Sequence, residues 1–221
     1  MRILLTLALT FAGMAFSFSE ARAGSPWFWL GVSLPYVPLV ALALHKMWDE
    51  GTLLDLLTPR WGDLSIGALS MIGLLFASWA ARKILSPVGS PRQAWLFRIY
   101  LQLGNPEHLQ RSMAYTLLIM AICVAEEIVW RGMVLGDLTQ RFGRRAALPL
   151  SALAYGFATV PTIWLLRDPI AGPNPLFITA AVGCGLVWSF FAAQLGRLTP
   201  VVISHMGFTY FTIVQFRLPG L

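Results

Sequence analysis

The sequence predicts an all-α, polytopic transmembrane bundle, and three observations carry that prediction. Of its 221 residues, 57% are hydrophobic and only 12% are charged, about half the charged share of a water-soluble domain. The apolar residues come in runs of roughly 17 to 25, the length that crosses a hydrocarbon core of about 30 Å. These runs are continuously apolar rather than alternating, which requires helices and excludes a β-barrel.

The elements follow in chain order. Residues 1–23 begin with Met1-Arg2, continue through an apolar stretch and leave through the small residues Ala21 and Ala23. That pattern fits either a secretory signal peptide or a first span. Residues 24–221 then read as a single transmembrane domain, with apolar runs at 27–44, 64–81, 112–136, 146–166, 176–195 and 198–216. The expectation is six spans, or seven if the first stretch is retained. Between the second and third of these runs lies a mixed segment, residues 91–111. There Trp95, Phe97 and Tyr100 alternate with Arg92, Arg98 and Gln102. Aromatic anchors beside basic residues suit a helix lying in the interface plane, ended by Gly104-Asn105-Pro106; a plain loop is the alternative.

Charge narrows the partners. The net charge of +6 rests on sixteen Lys and Arg, which flank the apolar runs instead of forming a stripe. Basic residues so placed serve topology and lipid headgroups, not nucleic acid. Alternate loops share them almost evenly, so no orientation emerges. Cys123 and Cys184 stand alone inside apolar runs without CxxC spacing and read as small buried hydrophobes.

The chemistry concentrates at two acids. Glu126 and Glu127 stand side by side just past the middle of the run 112–136, whereas the other acidic residues sit at run ends or in loops. An ionised carboxylate at that depth costs roughly 2.5 to 3.5 kcal/mol on an insertion scale. Arg131 is placed to offset it, four residues from Glu127 and on the same helical face. Glu126 is rotated by about 100°, which leaves it the freer carboxylate and a candidate general base. A buried ion network that only locks helices together is the competing reading.

The segment Glu126-Glu127-Ile128-Val129-Trp130-Arg131 fits the EExxxR signature, and through it the chain resembles the CAAX protease and bacteriocin-processing family. Its best-known members are the Ras-converting CAAX endopeptidases, intramembrane peptidases of the glutamate type. The family's second motif, FxxxH, falls on Tyr155-Gly156-Phe157-Ala158-Thr159 with Pro161 following, so Thr159 occupies the histidine position. The third, HxxxN or HxxxD, falls on His205 to Thr209. The histidine is present, and Thr209 occupies the last position. The resemblance covers about half the chain, with a core at 112–216.

What the resemblance implies is peptide-bond hydrolysis in a membrane-associated protein substrate by a Glu-activated water. Carried over by position, Glu126 is the base, Glu127 and Arg131 its scaffold, and His205 the oxyanion donor. Thr159 offers a hydroxyl that cannot take a proton at neutral pH, and Thr209 one hydrogen-bond donor. Read alone, His205 is also consistent with a core histidine bonded to a backbone carbonyl. Gly132, Gly156 and Gly207 are expected to let helices approach closely and bring Glu126, Thr159 and His205 to one polar intramembrane cavity. No cofactor is implied. Glu126, Glu127 and His205 lack HExxH-like spacing, which argues against a metal. The signal-like start points to a prokaryotic plasma membrane. The alternative function is an inactive relative acting as a membrane peptide-binding, scaffold or immunity protein. A proton-coupled transporter has less support, since only one span carries acids.

Overall fold

A computed structural model describes residues 1–215; residue 216, the expected end of the last run, lies outside them. The described residues are mainly helical, and their only β-type pairing is a bridge between Asp168 and Gly172. In chain order the helices are α1 (Arg2–Ser17), α2 (Pro26–Ser33), α3 (Tyr36–Asp49), α4 (Leu53–Leu57), α5 (Asp63–Leu85), α6 (Gln93–Leu103), α7 (Pro106–Arg111) and α8 (Met113–Glu127). A π-helical segment, Ile128–Val134, runs directly into α9 (Leu135–Phe142). Then follow α10 (Arg144–Ala158), α11 (Pro161–Leu165), α12 (Leu176–Leu195) and α13 (Thr199–Thr209), the last continuing as a second π-helical segment, Tyr210–Gln215.

Among the described residues, five helical stretches are long and apolar enough to cross a membrane, namely Pro26–Asp49, Asp63–Leu85, Met113–Phe142, Arg144–Leu165 and Leu176–Leu195. This is fewer than the six or seven expected from sequence. The difference lies at the two ends. Helix α1 has 16 residues, and at 1.5 Å per residue it reaches only about 24 Å. The final run is continuously helical from Thr199 to Gln215, 11 residues in α13 and 6 in the π-helical continuation, and there it meets the end of the described residues.

Segment 91–111 forms two helices. Gly104 separates them at φ +92°, a conformation that favours glycine. Asn105 then caps α7, its Oδ1 accepting from the Glu107 and His108 amides, with Pro106 at the first helical position. The inner face of α6 is bound into the protein. Trp95 Nε1 donates to the Gly172 carbonyl at 3.2 Å, and Asn174 Nδ2 donates to the Trp95 carbonyl at 2.9 Å. Gln102 Nε2 donates to the Ser17 and Ser19 carbonyls at 2.7 and 3.1 Å, closing the end of α1.

Packing places the EExxxR segment at the centre. Helix α10 packs on α12, α13 packs on both α5 and α8, and the π-helical segment lies against α3. Val129, Trp130, Met133 and Val134 are wholly buried there. Small residues set the close approaches. A Cβ on Gly132 would meet Met47 Sδ at 3.1 Å, and one on Gly185 would meet Ala152 and Tyr155 at 3.3 to 3.4 Å. Gly156 abuts Val182, and Gly207 abuts Met71.

Candidate active site

Glu126 and Glu127 end α8, and the turn that follows is the wide π-helical one. Such bulges recur at functional sites, where they re-aim side chains. Both carboxylates are buried; Glu127 is 0% exposed and Glu126 6%. Glu127 Oε1 accepts from Arg131 Nη1 at 3.0 Å and lies 2.7 Å from His205 Nδ1. Because that oxygen is an acceptor, Nδ1 carries the ring hydrogen, and the other nitrogen is turned outward. His205 Nε2 then faces Glu126 Oε2 at 3.6 Å. One glutamate thus meets the imidazole at Nδ1, and the other stands on its Nε2 side.

The cation and the ring are held by aromatic walls. The Arg131 guanidinium lies over the Tyr155 ring at 4.7 Å and the Trp188 ring at 5.2 Å. Trp188 also stacks on His205 at 3.9 Å between centroids. Its indole N–H donates to Ser204 Oγ, which in turn donates to Ser70 Oγ, both at 3.1 Å. Trp188 thus holds the imidazole by its face, while the acids meet its two nitrogens.

Glu126 has a second partner. The Tyr155 hydroxyl donates to Glu126 Oε2 at 2.7 Å, and the Tyr36 hydroxyl lies beside the same carboxylate while accepting from Trp130 Nε1 at 3.2 Å. Among the described residues, Glu127 Oε2 and Arg131 Nε are buried without a hydrogen-bond partner. Leaving such atoms unsatisfied costs about 1 to 3 kcal/mol each.

A cavity of about 250 Å³ opens on this cluster. Glu126, Tyr155, His205 and Thr209 form part of its wall, and the rest is mainly apolar. Met14 from α1 and Phe18 just past its end, Trp29 from α2, and Ile99 and Leu103 from α6 contribute to it. The expected polar cavity is therefore a largely apolar one, lined by residues from eight helices. The acids do not make it polar because Arg131, His205 and Tyr155 already engage them.

The structure groups five of the six site residues named from sequence, and Thr159 is the exception. It is 1% exposed, lies outside the cavity wall, and donates its hydroxyl to the Gly156 carbonyl at 2.7 Å. The cause is local. Pro161 opens α11, the preceding helix ends before it, and Thr159 closes that end. Sequence reasoning missed Tyr36, Tyr155 and Trp188 as site residues. Only Tyr155 carried a signal, through its place in the second motif.

Residues 108–211 match the family described as Type II CAAX prenyl endopeptidase Rce1-like. No curated protein and no solved structure matches the chain.

Proposed function

From the premise that the chain belongs to the CAAX protease family, we propose that it is a membrane-embedded endopeptidase that hydrolyses a peptide bond in a membrane-anchored protein or peptide. Multi-pass insertion fits its five span-length helices; a prokaryotic plasma membrane is the proposed location. The observation that carries the reading is the pairing of Glu126 with His205 at 3.6 Å on the wall of one apolar cavity.

In this mechanism Glu126 takes a proton from water as the water oxygen attacks the scissile carbonyl carbon. The carbonyl oxygen becomes an oxyanion near His205 Nε2. A ring whose Nδ1–H is held by Glu127 donates from Nε2 when doubly protonated, and such a donor is worth several kcal/mol in a dry site. The C–N bond then breaks, and Glu126 returns its proton to the leaving amine. Arg131 balances the charge of Glu127 throughout, so the orienting carboxylate does not compete for the water's proton. Thr209, on the cavity wall, offers a hydroxyl to the substrate backbone. Nothing in this sequence of steps requires a cofactor.

One observation favours the second reading, a catalytically inert relative that binds a membrane peptide: Thr159 keeps its hydroxyl on Gly156 and offers the cavity no proton acceptor. The two readings part in one assay. Purified protein in liposomes is given an internally quenched farnesylated peptide ending in a Cys-aliphatic-aliphatic-X box. Wild type should cleave it, and Glu126→Gln should lose at least about 10²-fold in rate at equal protein level. Equal processing by the two forms would end the peptidase reading.

A further inference from the structure

The family's second motif has an imidazole one helical turn beyond its aromatic residue, and this chain has Thr159 there. We propose that the polar role has moved back by one turn, so that Tyr155 is the positioning residue for Glu126. The inference rests on the peptidase reading above and deepens it.

Four contacts hold the phenol in place. Its hydroxyl donates to Glu126 Oε2 at 2.7 Å. The Trp130 ring meets the Tyr155 ring edge-on at 5.3 Å and 69°. The Arg131 guanidinium covers the ring at 4.7 Å. Gly185 on α12 lies so close that a Cβ there would sit 3.4 Å from the Tyr155 ring. Three of these partners come from the EExxxR segment itself. The ring is therefore clamped by the same turn that carries the base, and its hydroxyl has one direction available.

The chemical consequence is an assignment of the two carboxylate oxygens. Oε2 accepts from Tyr155 and faces His205 Nε2 at 3.6 Å, which leaves Oε1 for the attacking water. A carboxylate fixed by one short hydrogen bond presents the other oxygen in a constant orientation, and constant orientation is what positioning contributes to rate. Thr159 cannot do this from its site at the helix end, where its hydroxyl is spent on Gly156. Tyr36 supports the same carboxylate from α3 but is itself held by Trp130.

The test pairs turnover with a spectroscopic readout. In liposomes with the quenched farnesylated peptide, Tyr155→Phe should lower kcat by about 10- to 100-fold, the scale of one lost hydrogen bond to a charged group. KM should stay within about twofold. In infrared difference spectra, wild type minus Glu126→Gln isolates the Glu126 carboxyl band, and Tyr155→Phe should shift that band. A purely structural tyrosine would leave the band in place and disturb KM and thermal stability instead. If Tyr155→Phe turns over at the wild-type rate while Glu126→Gln is inactive, the inference fails and the peptidase reading stands. An unmoved band overturns the inference equally. If wild type and Glu126→Gln are alike in turnover, the peptidase reading itself fails.

Discussion

Glu127 Oε1 receives Arg131 and His205 together, and this doubling sets the consequences of substitution at each residue. Removing one member of a fully buried ion pair leaves a charge unpaired and costs about 3 to 5 kcal/mol. Arg131→Met should therefore lower the thermal stability of the detergent-solubilised protein sharply. Arg131→Met combined with Glu127→Leu should recover much of that loss while remaining inactive, because His205 then lacks its orienting carboxylate. A double variant as unstable as the single one would contradict the pairing. The acids, Arg131 and His205 were legible in the sequence because charged residues stand out in an apolar run. Tyr155, Tyr36 and Trp188 were not, since an aromatic residue in a span reads as packing until its hydroxyl or ring is seen against a charge. Thr159 was misplaced for a different reason: motif spacing gives a register along the chain, whereas Pro161 ends the helix and turns the side chain away.

Among the elements, α1 and α6 are the ones whose role the sequence left open. Both prove to be walls of the cavity, through Met14 on α1 with Phe18 just past its end, and Ile99 and Leu103 on α6. Helix α1 is locked where Gly13 crosses the α2–α3 turn. A Cβ at Gly13 would lie 2.6 Å from Pro35 Cγ and 2.7 Å from the Gly31 carbonyl oxygen. Gly13→Val should therefore push α1 outward, destabilise by about 1 to 3 kcal/mol and raise KM, as read from thermal melts and peptide kinetics. Unchanged melting and kinetics would show that α1 does not seat there. Helix α6 is latched by the loop at Asp168, whose carboxylate accepts from the Ile170 and Ala171 amides at 2.9 and 3.0 Å. Those amides, helped by Arg98, hold its carboxyl below the ordinary range. A depressed folded value gives stabilisation that is present above the ordinary pKa and lost as pH falls through the folded one. Hydrogen exchange at Ile170 and Ala171, corrected for intrinsic rates, should stay slow at pH 5 and accelerate below about pH 4. Protection that is flat across that range would contradict the latch. Neither the wide π-helical turn after α8 nor the π-helical continuation of α13 shows in hydropathy, because both keep an apolar pattern while changing only the backbone spacing.

At the scale of the whole molecule, the cavity belongs to no single helix, and a mainly apolar wall surrounds Glu126. Ala181 on α12 borders it. Ala181→Trp should fill part of the roughly 250 Å³ and raise KM for the farnesylated peptide by about tenfold or more, the weight of one displaced apolar group. A KM unchanged by that substitution would place the substrate elsewhere. The sequence conveyed the membrane class and the span-length helices because hydrocarbon thickness writes itself into run length. The cavity depends on which faces of distant helices meet, and run length does not encode that. The central claim is that Glu126 activates water for peptide hydrolysis, and single-turnover cleavage of the farnesylated peptide in liposomes, followed by mass spectrometry of both products, tests it most directly. Wild type should yield one defined cut, and Glu126→Gln, folded and bound to the same peptide, should yield none on the same timescale. The same cut at a comparable rate from Glu126→Gln would contradict the account.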